Sequence, residues 1–294
     1  MRLRKDDRNR MIFGYMLLVP ALAIMIMFFV WPFVRGVSAS FHTGLGLTRY
    51  VGLENYRLTL SDPRFWNSLR VSLVFSFFFI LISGGLGLIL AMVLASKPRG
   101  HQFYLAVAFI PYISTPVIGA LVWLNILGEP YGIINIVLTD IGLGTIPFLK
   151  NPAWALTSLV LIQVWYTLGY NALLFMAGLQ AIPESYFESA ELDGCGFFKR
   201  LYYITLPLII PTTVFVVTVS TMYGFINSFV LARLLTGGGP FEATNVIMSY
   251  IFELAFDSFR LGQANAVTML SFVLFLLVAF GQFNYQRRRF SGLQ

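Results

Sequence analysis

Residues 188–207 read ESAELDGCGFFKRLYYITLP. One long apolar run, 154–178, precedes them, and another, 204–232, takes over at their end. If those runs cross a membrane, the polar, helix-compatible stretch between them lies on one side of it. Its ordered features are Glu188, Ala190 and Gly194, then Ile204, Leu206 and Pro207. The fold therefore turns on whether the flanking runs are spans.

Composition settles that. Of 294 residues, 57% are hydrophobic and 11% charged, and the mean hydropathy is +0.76. A soluble core has no use for so much apolar surface, so the class is integral membrane. A span needs roughly 20 apolar residues. Six stretches qualify, at 11–34, 71–95, 103–127, 154–178, 204–232 and 264–285, and none contains Asp, Glu, Lys or Arg. Backbone polar groups in hydrocarbon must be bonded internally, so the spans are predicted as helices and the fold as all-α. The predicted six-helix membrane body is 11–285, flanked by basic tails at 1–10 and 286–294, with a loop at 179–203 between spans four and five.

Lys and Arg mark the cytoplasmic side. Twelve collect on the side of both tails: Arg2, Arg4, Lys5, Arg8, Arg10, Lys97, Arg99, Lys199, Arg200, Arg287, Arg288 and Arg289. The other eight are spread over longer loops. Both ends and the 179–203 loop are therefore expected in the cytoplasm. This bias accounts for the net charge of +7 without nucleic acid. The first run is too long for a signal-peptide core and is expected to stay as a span. Cys195 is the only cysteine, so no internal disulfide is possible.

Outside the spans, Asp62-Pro63 suggests a turn opening a short helix, with Trp66 at the interface. The loop at 128–153 holds one short apolar stretch, 133–138. Residues 236–240, TGGGP, read as a flexible turn, and 245–259 as an amphipathic surface helix. In the 179–203 loop, Pro183 and Glu184 suit a helix start and Gly194 a left-handed helix end. A second short helix is expected at 197–203. Tyr186, Phe187 and Ala190 would form one apolar side, and Glu184, Glu188 and Glu191 an acidic one.

Several chemistries are excluded or disfavoured. No Lys is followed by Ser or Thr, so there is no Walker-type phosphate loop. His42 and His101 fall on opposite sides of the membrane, and no metal-ligand or Ser–His–Asp set can be assembled. An ion-coupled secondary transporter would want intramembrane Asp, Glu or His, which the spans lack.

Polar and aromatic residues inside spans are the candidates for solute binding, because transporter sites lie near mid-depth. Span four offers Gln163, Tyr166, Thr167, Tyr170 and Asn171 on one helical stripe. Span five offers Ser220, Thr221, Tyr223, Gly224, Asn227 and Ser228. The competing reading is that these residues glue helices together. Gly84, Gly85 and Gly87 read as close helix packing.

The 188–207 pattern resembles the coupling loop, or EAA motif, of ABC-importer permeases. The six spans, the 50–56 segment YVGLENY, the approach LQAIP at 179–183 and TGGGP at 236–240 are similar to the maltose-type carbohydrate permeases, and also to glycerol-phosphate permeases. That resemblance implies a permease subunit, not an enzyme, of a binding-protein-dependent, ATP-driven importer in a bacterial or archaeal inner membrane. It implies partners: a second permease, two ATP-binding cassette ATPases, an extracytoplasmic solute-binding protein and the bilayer. No cofactor is expected on this chain; ATP and Mg would sit on the ATPases. Coupling would fall to Glu184, Glu188, Ser189, Ala190, Asp193, Gly194 and Phe197, with Ser189 replacing the family's usual Ala. Spans four and five would line the sugar site, with Tyr170 similar to a sugar-contacting tyrosine. Uncharged spans favour a neutral mono-, di- or oligosaccharide carried by alternating access; glycerol 3-phosphate or a glycerophosphodiester is the alternative, and uronate or oligogalacturonide uptake another.

Overall fold

The computed structural model of the chain describes residues 5–44 and 46–290, with side chains described at 13, 15–44, 46–282 and 284. The basic side chains expected at 1–10 and 286–294 lie outside these. The first helices in chain order are α1 (Lys5–Met25), α2 (Trp31–Ser40), α3 (Glu54–Ser61), α4 (Pro63–Ala95) and α5 (His101–Ile113). Next come α6 (Pro116–Leu127), α7 (Ile133–Asp140), α8 (Pro152–Gln180), α9 (Glu184–Leu192) and α10 (Phe197–Arg200). The last are α11 (Leu206–Leu208), α12 (Ile210–Leu231), α13 (Ile247–Phe252) and α14 (Leu261–Phe290). A two-residue antiparallel pair, β1 (His42–Thr43) and β2 (Arg49–Tyr50), closes the loop after α2.

Among the described residues, five helical segments are long and apolar enough to span a membrane: Tyr15–Ser40, Pro63–Ala95, Pro152–Gln180, Ile210–Thr236 and Leu261–Gln282. The sixth expected span is not one helix. It is the pair α5 and α6, bent by 100° at a short break. Ser114 and Thr115 there are extended (ψ 157° and 144°); Thr115, directly before Pro116, avoids the helical region and instead caps α6 through its side chain. Span five also starts late. The expected start at 204 falls in a π-helical turn, Leu201–Thr205, and the long helix begins only at Ile210, beyond Pro207.

The chain divides into two compact units, Met1–Asp62 with Ile251–Val273, and Pro63–Tyr250 with Leu274–Gln294. In the first, Asn55 explains the YVGLENY segment. Its buried amide donates to the carbonyls of Ser40 (2.8 Å) and His42 (2.9 Å) at the end of α2. Tyr56 Oη shares a 2.7 Å hydrogen bond with Ser40 Oγ. A Cβ at Gly262 would collide with the His42 carbonyl, so α14 meets this knot at a glycine. Phe33 of α2 packs on Phe272 of α14, centroids 5.1 Å apart.

The second unit is built around α8, the most buried of the five long apolar segments. Phe75 and Phe79 of α4, Leu159 and Ile162 of α8, and Leu231 form its main core. A smaller cluster joins Ala91, Phe175, Ile209 and Val216. Lipid is as apolar as these side chains, so close packing rather than exclusion of water holds the helices together. Glycine permits that packing at three crossings. A Cβ on Gly169 would strike the Ala108 carbonyl of α5, and one on Gly178 would strike Thr212 of α12. A Cβ on Gly87 of α4 would lie 2.9 Å from the Cβ of Asn171. Gly84 and Gly85, expected to pack closely, would instead have room for a Cβ.

Three loop expectations change. Pro63 opens no short helix; it is the first residue of the 33-residue α4. The TGGGP turn is tied down: Thr244 Oγ1, fully buried, bonds both Thr236 Oγ1 and the Gly239 carbonyl at 2.6 Å. The helix expected at the surface within 245–259 begins as α13, with Val246, Ile247 and Tyr250 buried, and Ile247 N–H donating to Ser72 Oγ of α4 (2.7 Å).

Candidate functional site

Tyr166 and Tyr170 stand one helical turn apart near the middle of α8, so both point to the same side. That side faces the break between α5 and α6, where Tyr112 sits behind Pro111. The rings of Tyr112 and Tyr170 stack face to face, with centroids 4.4 Å apart and planes 6° from parallel. Tyr223 of α12 meets both edge-on at 5.9 and 6.0 Å, and its hydroxyl is hydrogen-bonded to that of Tyr112. Tyr166 donates its hydroxyl to the Ser114 carbonyl (2.8 Å), fixing the backbone of the break. Its ring lies 6.0 Å from that of Tyr112. Offset parallel and edge-to-face pairs at these distances attract each other. The four residues combine apolar ring faces with neutral hydroxyl donors and acceptors.

The rest of the span-four stripe turns elsewhere. Gln163, Thr167 and Asn171 are each 1% exposed. Thr167 Oγ1 donates to the Gln163 carbonyl at 3.0 Å, while Gln163 Nε2 and Asn171 Nδ2 have no hydrogen-bond partner. On α12, Ser220, Asn227 and Ser228 are buried; Ser228 Oγ donates to the Phe225 carbonyl at 3.1 Å. Gly224 backs onto Phe79 and Ser76 of α4. Thr221 faces Gln282 of α14, whose Nε2 donates to it at 3.3 Å, while Thr218 donates to Gln282 Oε1 at 3.4 Å. Of the eleven candidates, the structure gathers Tyr166, Tyr170 and Tyr223 into one cluster. Sequence reasoning missed Tyr112 and Gln282. The interruption of an apolar run by Pro111 and Pro116 was the available signal for the first.

The 179–203 loop forms the expected helix, α9, with Glu184 in its first turn. Gly194, at φ +70°, ends it. Cys195 N–H donates to the Ala190 carbonyl (2.8 Å) and Gly194 N–H to that of Glu191 (3.0 Å), the paired bonds of a Schellman cap. Ala190 is buried and Phe187 half-buried, but Tyr186 is 51% exposed and does not join their side. Tyr186 stands one position before Phe187, 100° round the helix from it, and so turns outward. Glu184, Glu188, Ser189, Asp193 and Phe197 are exposed, as are Leu192 and Phe198 at 90% and 81%. Glu191 lies 3.9 Å from Arg200, an open pair that contributes little.

The family described as binding-protein-dependent transport system inner membrane component matches residues 83–291. The chain belongs to that family. The match takes in α5 to α13, the tyrosine cluster and α9. Among relatives of this permease chain, the sn-glycerol-3-phosphate transport system permease protein UgpA of Agrobacterium fabrum is 33% identical over 281 residues, covering 95% of this chain and 96% of its own. The trehalose/maltose transport system permease protein MalF of Thermococcus litoralis is 34% identical over 269 residues, 90% of each. In fold the chain is similar to a crystal structure of a bacterial ABC transporter involved in the import of the acidic polysaccharide alginate. The TM-score is 0.86 at 22% identity, over 96% of this chain and 98% of that one. The resemblance drawn from the EAA-like stretch thus holds at the level of family and fold.

Proposed function

We propose that this chain is the permease subunit of an ATP-driven importer that carries a neutral sugar by alternating access. The observation that carries the reading is the cluster of Tyr166, Tyr170 and Tyr223 gathered round Tyr112 at the broken span. Ring faces stack on the apolar faces of a sugar and hydroxyls exchange hydrogen bonds with its OH groups, with no ionised group needed. In this reading α9 is the coupling helix, cytoplasmic as both termini are, and Glu188 pairs with a basic group of an ATPase. The exposed Leu192, Phe197 and Phe198 offer that partner an apolar surface. Two ATPases carrying ATP and Mg, a second permease and a solute-binding protein complete the assembly. Closure of the ATPases would favour one state of the permease pair over the other through contacts made in only one of them.

A second reading, glycerol 3-phosphate or a related ester, is favoured by the name of the Agrobacterium relative. A phosphate at mid-depth calls for Arg or Lys, which a partner permease would then have to supply. The test is ATPase activity of the complex purified through this chain, in nanodiscs with its binding protein. Stimulation by one neutral sugar supports the first reading. Stimulation by glycerol 3-phosphate alone moves the substrate to the second, and failure of any ATPase to co-purify overturns both.

A further inference from the structure

We propose that Tyr112 competes with the transported solute: its ring covers the stacking face of Tyr170, and a solute ring binds there only after Tyr112 has swung aside. The inference rests on reading the tyrosine cluster as the solute site.

Tyr112 makes the two interactions a sugar ring would make. It lies parallel on Tyr170 at 4.4 Å, and its hydroxyl bonds the Tyr223 hydroxyl. Its backbone setting differs from that of its neighbours. Tyr166, Tyr170 and Tyr223 belong to the middles of long helices, α8 and α12. Tyr112 is the penultimate residue of α5, with only Ile113 between it and the extended pair Ser114 and Thr115. Its side chain therefore projects where the helix stops, without a following helical turn beside it. The backbone there is held, since Tyr166 bonds the Ser114 carbonyl and Ser114 Oγ bonds the Pro111 carbonyl at 2.7 Å. Side-chain rotation, rather than movement of the break, is the motion that uncovers Tyr170. A site open for only a fraction of the time binds with an apparent affinity reduced by that fraction. Tyr112 would thus set the solute threshold without being part of the bound site.

The test uses the assembled complex with its ATPases, partner permease and binding protein. In a Cys195→Ser background, Tyr112→Cys with Tyr170→Cys should be joined by a short bis-methanethiosulfonate reagent without added solute. Failure to cross-link, when each single cysteine reacts with a monofunctional reagent, overturns the proposal. Uptake of radiolabelled maltose, trehalose and glycerol 3-phosphate supplies the second measurement. For any of these that is carried, Tyr112→Ala and Tyr112→Leu should lower KM by roughly threefold or more, while Tyr170→Ala raises it. A KM that stays level or rises in both Tyr112 variants, with Tyr170→Ala still raising it, overturns the competing role and leaves the site in place. If Tyr170→Ala and Tyr223→Ala also leave KM unchanged, the cluster is not the solute site and both readings fall.

Discussion

Gly194 and Tyr170 carry the two halves of the proposed function, and each is held by local geometry. At φ +70° Gly194 lies where a side chain is strained even though its surroundings are open. Gly194→Val should cost about 1–2 kcal/mol in the cap and lower ATP-coupled uptake, while Gly194→Asn, which tolerates that region, should retain most of it. Transport assays in vesicles, with the amount of assembled complex measured in parallel, check the pair. Tyr170→Ala removes a stacking face worth about 0.5–1.5 kcal/mol and should raise the uptake KM without releasing the ATPases. Tyr170 and Gly194 were legible in the sequence: a tyrosine inside an apolar run and a glycine at a helix end each announce themselves locally. Tyr112 was not. Its meaning comes from residues 58 and 111 positions away, and no periodicity joins three separate helices.

At the scale of elements, the long helices could be read from apolar runs, but their joints could not. A run that continues through Pro111 and Pro116 looks like one span, since proline is tolerated in membrane helices. Thr115 before Pro116 held the sign of a break, because it caps α6. The helix at 247 was misjudged for a related reason. Ile247 and Tyr250 are buried, and the Ile247 N–H bonds Ser72 of α4, a partner 175 positions away that no local pattern announces. In the other unit, Asn55 knots α3 to the end of α2. Asn55→Ala would leave the Ser40 and His42 carbonyls without their donor, costing about 1–3 kcal/mol. Loss of thermal stability in detergent, followed by the helical circular dichroism on heating, would show it. The same assay should find Gly169→Val more damaging than Gly84→Val, because only the first places a side chain against the backbone of a neighbouring helix.

For the whole molecule, the proposed coupling needs α9 to be both anchored and presented. Ala190 is buried while Glu188 and Leu192 are exposed on the same short helix, so it has the inner and outer sides that role requires. Glu188→Lys should leave the chain inserted and the ATPases bound, and should separate ATP hydrolysis from uptake. The ratio of solute moved to ATP consumed is the quantity to measure, and an unchanged ratio would return α9 to the role of a connector.

The crossings at Gly87, Gly169 and Gly178 have a consequence for inheritance. Every glycine codon that changes by one base to a different amino acid acquires a β-carbon, for which these three places have no room. Single-base drift at these codons is therefore confined to the third position, where the amino acid stays the same. Escape requires a matching change at Asn171, Thr212 or the backbone around Ala108, so such positions should move in pairs or not at all.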